Sequence, residues 1–172
     1  MSATMPIDAG PAWYHTREYL SGRPLAPLEL WALRLAADGL SDAEIGARLG
    51  CSEDMAGQAL HRAAWKLNTR GRAGAVAQGY LRGLLKPPPR AEQIVQLPHR
   101  EEQVLRLYAE GLTDEQIADR LGLRLWTVHS YGKRLRKRLG ARDRAHAVRR
   151  SLETGALHLV AKHAGDDRER AQ

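Results

Sequence analysis

This chain repeats itself internally. Sliding the sequence by 72 residues lays Leu25–Val76 over Leu97–Val148 without a gap. Roughly 20 of about 50 paired positions are then identical, far above the handful expected by chance. "LRLAADGLSDAEIGARLG" (Leu33–Gly50) falls on "LRLYAEGLTDEQIADRLG" (Leu105–Gly122), and "KLNTRGRAGAV" falls on "RLGARDRAHAV". A duplicated small domain is the simplest explanation, and 172 residues are enough for two.

The expected class is all-α. Ala, Leu and Arg are abundant and Phe is absent, whereas strands select β-branched and aromatic residues. We expect two tandem four-helix helix-turn-helix domains joined by a Pro-rich linker. Residues 1–24 form an N-terminal extension, 25–85 the first domain, 86–96 the linker, 97–160 the second domain and 161–172 a disordered tail. Pro87-Pro88-Pro89 cannot be helical, so Lys86–Arg90 is read as the stiff part of the linker. Ala91–Gln96 is read as a short helix leading into the second copy. Trp13, Tyr14, Tyr19 and Leu20 are enough to dock the extension on the first copy but too few for a separate core.

Within the second copy, Val104, Leu105, Leu107 and Tyr108 share one face of a helix over Glu101–Glu110, ended by Gly111. Thr113 and Gln116 fit a capping box for a helix that buries Ile117, Ala118 and Leu121 and stops at Gly122. Ser41, Glu44 and Gly50 repeat that pattern in the first copy. A short turn leads to a third helix, Trp126–Leu139, with Val128, Leu135 and Leu139 inward, and a fourth over about Arg144–Thr154 closes the unit. Helix, three-to-four-residue turn, helix is the arrangement that places its second helix in the DNA major groove.

Charge separates the copies. The net charge of +7 and pI near 10 favour an anionic partner. Residues 97–150 carry about 13 Lys and Arg against about 7 Asp and Glu, while residues 25–84 carry about 7 against about 6. Lys133, Arg134, Arg136, Lys137 and Arg138 crowd one end of the third helix. Such a cluster repels itself unless phosphates are near. His129 and Ser130, nearer the helix start, are short polar side chains able to reach base edges. The first copy's third helix keeps Gln58, His61, Arg62 and Lys66 as secondary candidates, but it begins with Glu53 and Asp54, which repel a phosphate backbone.

The ordered set Leu97, Arg100-Glu101, Val104-Leu105, Leu107, Gly111-Leu112, Ile117-Ala118, Leu121, Thr127-Val128, Leu139-Gly140, Arg144 and Ala147-Val148 resembles the LuxR-type (GerE or NarL/FixJ) helix-turn-helix domain. The first copy is a divergent match, with Met55-Ala56 in place of the Thr-Val pair. The resemblance implies a four-helix fold whose third helix reads the major groove and whose fourth often dimerises. By position it implies that His129, Ser130 and Lys133 face bases and that Thr127, Tyr131, Arg134 and Arg138 face phosphates, with Lys137 beside them. Three positions depart from the family: Arg124 stands where it usually has Ser, Glu115 where it has Lys, and Tyr131 where it has His. Residues 1–24 are too few for the receiver or autoinducer-binding domain common in the family, so none is expected.

Other chemistry finds no support. Cys51 is the single cysteine, which excludes disulfides and cysteine-cluster metal sites, and it reads as core packing. The seven histidines, at 15, 61, 99, 129, 146, 158 and 163, sit at no metal-ligand spacing. No phosphate loop or nucleophile motif appears. We therefore expect no catalytic residue, no metal and no cofactor. No signal peptide and no run of about 18 apolar residues appears, which suggests a cytoplasmic protein, nucleoid-associated when bound. The expected partner is double-stranded DNA, with a homodimer through the fourth helices. The rival reading is a transcription adaptor whose first copy docks on RNA polymerase or another regulator.

Overall fold

Helix starts and stops are written twice into this chain, and the backbone follows them. The computed structural model describes residues 21–92 and 94–159, which form eight α-helices and no strand. The helices are α1 (Pro27–Ala37), α2 (Asp42–Leu49), α3 (Glu53–Lys66), α4 (Gly71–Leu81), α5 (His99–Ala109), α6 (Asp114–Leu121), α7 (Leu125–Leu139) and α8 (Arg144–Glu153). Shifted by 72 residues, α1, α2 and α3 start where α5, α6 and α7 start, and α4 starts one residue before α8.

The matching signals are physical ones. Ser41 Oγ accepts from the Glu44 amide and Glu44 Oε2 accepts from the Ser41 amide; Thr113 and Gln116 make the same reciprocal pair. Each such cap contributes about 1 kcal/mol by satisfying amides that have no intrahelical acceptor. Gly50 and Gly122 then end α2 and α6 in the left-handed conformation, at φ +69° and +62°.

Within each half, the first helix packs on the third, the second on the third, and the third on the fourth. The inward faces are those the apolar spacing predicts: Val104, Leu105, Ile117, Val128, Leu135, Leu139 and Val148 are all buried. Cys51 lies half-buried against this core.

The halves are not beads on a string. Helix α4 packs against α8, while α4 also meets α5 and α8 also meets α1. Those two side contacts exchange under the 72-residue shift, as contacts across a two-fold axis do. The same exchange appears residue by residue: Gly74 faces Gly111, and His146 faces Gly39. Ion pairs fasten the seam, with Arg142 Nη2 2.9 Å from Glu44 Oε1 and Arg149 paired with Asp38. The Glu44 carboxyl falls to about 2 because the Ser41 amide and then Arg142 donate to it.

One expectation is corrected here. Ala91–Gln96 is not a helix among its described residues. It follows three prolines and runs into Leu97-Pro98, where helical backbone is disfavoured. Its amides bond elsewhere: Ala91 N donates to Glu153 O at 2.7 Å and Val95 N to Thr154 O at 3.1 Å. The segment is thus tied along the end of α8. The expected docking of Trp13, Tyr14, Tyr19 and Leu20, and the tail 161–172, lie outside the described residues.

Candidate nucleic-acid interface

Helix α7 takes its position from four buried residues, Val128, Gly132, Leu135 and Leu139, spaced to face α5, α6 and α8. Gly132 is there for a close approach. A Cβ at that position would lie 2.4 Å from the Tyr108 hydroxyl of α5, so any larger residue would push the helix outward. Tyr108 is buried, which with the nearby Asp114 carboxylate pushes its hydroxyl up to about 12. Residues 122–124 form the turn from α6 into α7, and no side chain caps the α7 start at Arg124.

With the inner face fixed, the helical period of 3.6 residues fixes the outer one. Trp126, Ser130, Lys133, Arg134 and Lys137 point within about 50° of the direction opposite the core. Lys133 and Lys137 are exposed and make no ion pair among the described residues. Ser130 donates its hydroxyl to Trp126 O at 2.9 Å.

Several candidates already have partners, Arg134 on this stripe and the others on its flanks. Arg134 Nε lies 3.2 Å from Glu101 Oε1 and Arg138 Nε lies 3.0 Å from Glu101 Oε2. The Glu101 carboxylate is buried, whereas both arginines are about half exposed. The Arg134 guanidinium also covers the half-buried Tyr131 ring, 4.7 Å from its centroid. On the other flank His129 Nε2 stands 3.1 Å from Asp114 Oδ2, an oxygen that Arg144 also engages. Arg144 in turn lies 4.8 Å over the Tyr108 ring. Thr127 is half-buried, its amide donating to Arg124 O at 2.9 Å.

Glu101 and Asp114 escaped the list of candidate residues drawn from the sequence. The repeat carried the missing signal, because Glu29 in α1 binds Arg62 Nε at 3.3 Å and Lys66 Nζ at 2.8 Å. These are the positions of Glu101, Arg134 and Arg138 shifted by 72 residues. In α3 the secondary candidates therefore divide. Arg62 and Lys66 are held by Glu29, while Gln58 and His61 are exposed, His61 lying against the Trp65 ring at 5.2 Å.

No group of three or more His, Cys, Asp or Glu side chains arranged to hold a metal occurs among the described residues. Nor is any described helix long and apolar enough to cross a membrane.

Residues 95–151 match the model of the family described as "Bacterial regulatory proteins, luxR family". The chain is 37% identical over 70 residues to the HTH-type transcriptional activator RamA of Corynebacterium glutamicum, covering 41% of this chain and 25% of the relative. It is 38% identical over 77 residues to the DNA-binding transcriptional activator DevR/DosR of Mycobacterium tuberculosis, covering 45% of this chain and 34% of the relative. The chain thus spans a quarter to a third of the curated relatives it matches. No solved structure matches significantly. The family is one of bacterial regulatory proteins, and both relatives are transcriptional activators by name. The α5–α8 segment that carries the outward cations is the matched one, and residues 95–151 are a helix-turn-helix domain of the luxR family of bacterial regulatory proteins.

Proposed function

We propose that the chain is a sequence-specific transcription regulator whose helix α7 enters the major groove of double-stranded DNA. The observation that carries this reading is the outer stripe of α7, where Lys133 and Lys137 stand exposed and, among the described residues, without carboxylate partners on a helix that the luxR family of bacterial regulatory proteins matches. His129, Ser130 and Lys133 are the base-facing residues in this reading, and Thr127, Tyr131, Arg134, Lys137 and Arg138 the phosphate-facing ones. Glu101 holds Arg134 and Arg138, and Asp114 holds His129, before DNA arrives, which reduces the entropy those three side chains lose on binding.

We further propose that α1–α4 is a divergent second copy of the same domain. Supporting it are the repeated helix starts, the repeated capping boxes and the repeated buried glutamate. The fourth helices then pair within one chain, and that pairing stands in for a homodimer through the same helices.

The salt dependence of binding tests the electrostatic part. Each phosphate contact contributes about 0.9 to the slope of log affinity against log salt. Lys137→Ala should lower that slope by about one unit on specific and random duplexes alike. A slope near zero for the full chain would remove the proposal.

A second reading, the adaptor, rests on α3. Glu53 and Asp54 open that helix, and Glu29 holds both Arg62 and Lys66. In that case α5–α8 grips DNA while α1–α4 contacts RNA polymerase or another regulator. Footprint length separates the two, because one engaged module protects about one helical turn and two engaged modules about two.

A further inference from the structure

An exposed aromatic ring opens the outer stripe of α7. Trp126 is 64% exposed, the most exposed large apolar side chain among the described residues. An isolated exposed tryptophan says little, since folded surfaces carry many apolar atoms. Its surroundings say more. It lies one turn before Ser130, two turns before Lys133 and three before Lys137, on the stripe of α7 that points away from the core. Leu125 beside it is also exposed. The Ser130 hydroxyl folds back onto the Trp126 carbonyl, so its proton is already used and the indole leads the stripe.

A helix that seats this stripe in a major groove carries the indole in with it. One apolar group is offered there by DNA and by no other base edge: the C5-methyl of thymine. We infer that Trp126 is a specificity-determining residue that packs on a thymine methyl. This inference rests on the DNA-binding reading above. It explains why so large an apolar ring is tolerated in water at the tip of a basic helix. Leaving water for a methyl group recovers apolar burial that lysine neighbours cannot supply.

The test uses the full chain and a duplex selected by that chain from a random-sequence pool. Each thymine of the selected site is replaced in turn by deoxyuridine, which removes the methyl and keeps every hydrogen-bonding group. For the unaltered protein, affinity should drop about fourfold at one thymine, the value of one buried methyl. Trp126→Ala should bind the thymine duplex at least fourfold more weakly and be indifferent to deoxyuridine at that position. Trp126→Leu, still apolar, should keep part of the discrimination. Trp126→Ala must also bind scrambled duplex with the salt slope of the unaltered protein, which shows that α7 is intact. The inference is overturned if no deoxyuridine weakens the unaltered protein, or if Trp126→Ala discriminates as well as it does. If the unaltered chain selects no duplex and binds none, the DNA-binding reading falls and takes this inference with it. Selection without methyl dependence removes the tryptophan role alone.

Discussion

Gly111→Ala should cost about 2–5 kcal/mol and loosen the two halves from each other. Gly111 holds φ +83°, a conformation that costs an alanine about 1–2 kcal/mol. A Cβ there would also lie 2.3 Å from Arg70 O and 2.8 Å from Thr69 Oγ1, in the turn before α4. Arg70 O is backbone, so no rotamer change relieves the clash, and the seam must open at a further cost of about 1–3 kcal/mol. Two related glycines make the result interpretable. Gly122 holds φ +62° with open space around it, so Gly122→Ala should show the conformational cost alone. Gly39 holds φ +82° and its Cβ would lie 2.5 Å from His146 Nδ1, a side chain that can swing aside. Gly39→Ala should therefore fall between the other two. Urea unfolding of the three variants gives the order, and Gly111→Ala should split one transition into two as the seam fails. Equal losses for Gly122→Ala and Gly111→Ala would mean that the halves do not touch in solution.

Much of this seam was out of reach of the sequence, although the helices on either side of it were legible. The apolar spacing in Val104, Leu105, Leu107 and Tyr108 and the paired capping boxes are local signals, and local signals fix helix bounds. Observed α7 and α8 begin and end within one residue of the expected spans. The seam depends instead on which glycine faces which residue across 37 positions of chain, as Gly74 faces Gly111. No periodicity encodes that. The segment before Leu97 failed for a related reason. Its composition tolerates helix, but the end of α8 offers Glu153 O and Thr154 O to its amides. At the candidate interface, residue type picked out the basic helix, yet it could not tell an exposed cation from one held in place. Lys137 and Arg138 are neighbours in sequence. One lies on the outer stripe, and the other is bound to Glu101.

That difference gives the second large effect. Removing both arginines, Arg134→Ala with Arg138→Ala, should destabilise the protein by about 3 kcal/mol, far more than two exposed cations would. The reason lies with the residue left behind. Glu101 is only 2% exposed, and the two guanidinium groups are its bonded partners at 3.2 and 3.0 Å. Breaking a buried pair from one side leaves an uncompensated charge, at a cost of about 3–5 kcal/mol. The lower end applies because the arginines themselves are half exposed and water can follow them in. Either single substitution should cost much less, since the other arginine still holds the carboxylate, so the two effects should be strongly non-additive. Adding Glu101→Leu to the double variant removes the stranded charge and should recover most of the loss. Urea midpoints of the single, double and triple variants decide the matter. A double variant whose loss is the sum of the singles, and which Glu101→Leu does not rescue, would show that Glu101 is not what holds the two arginines on α7.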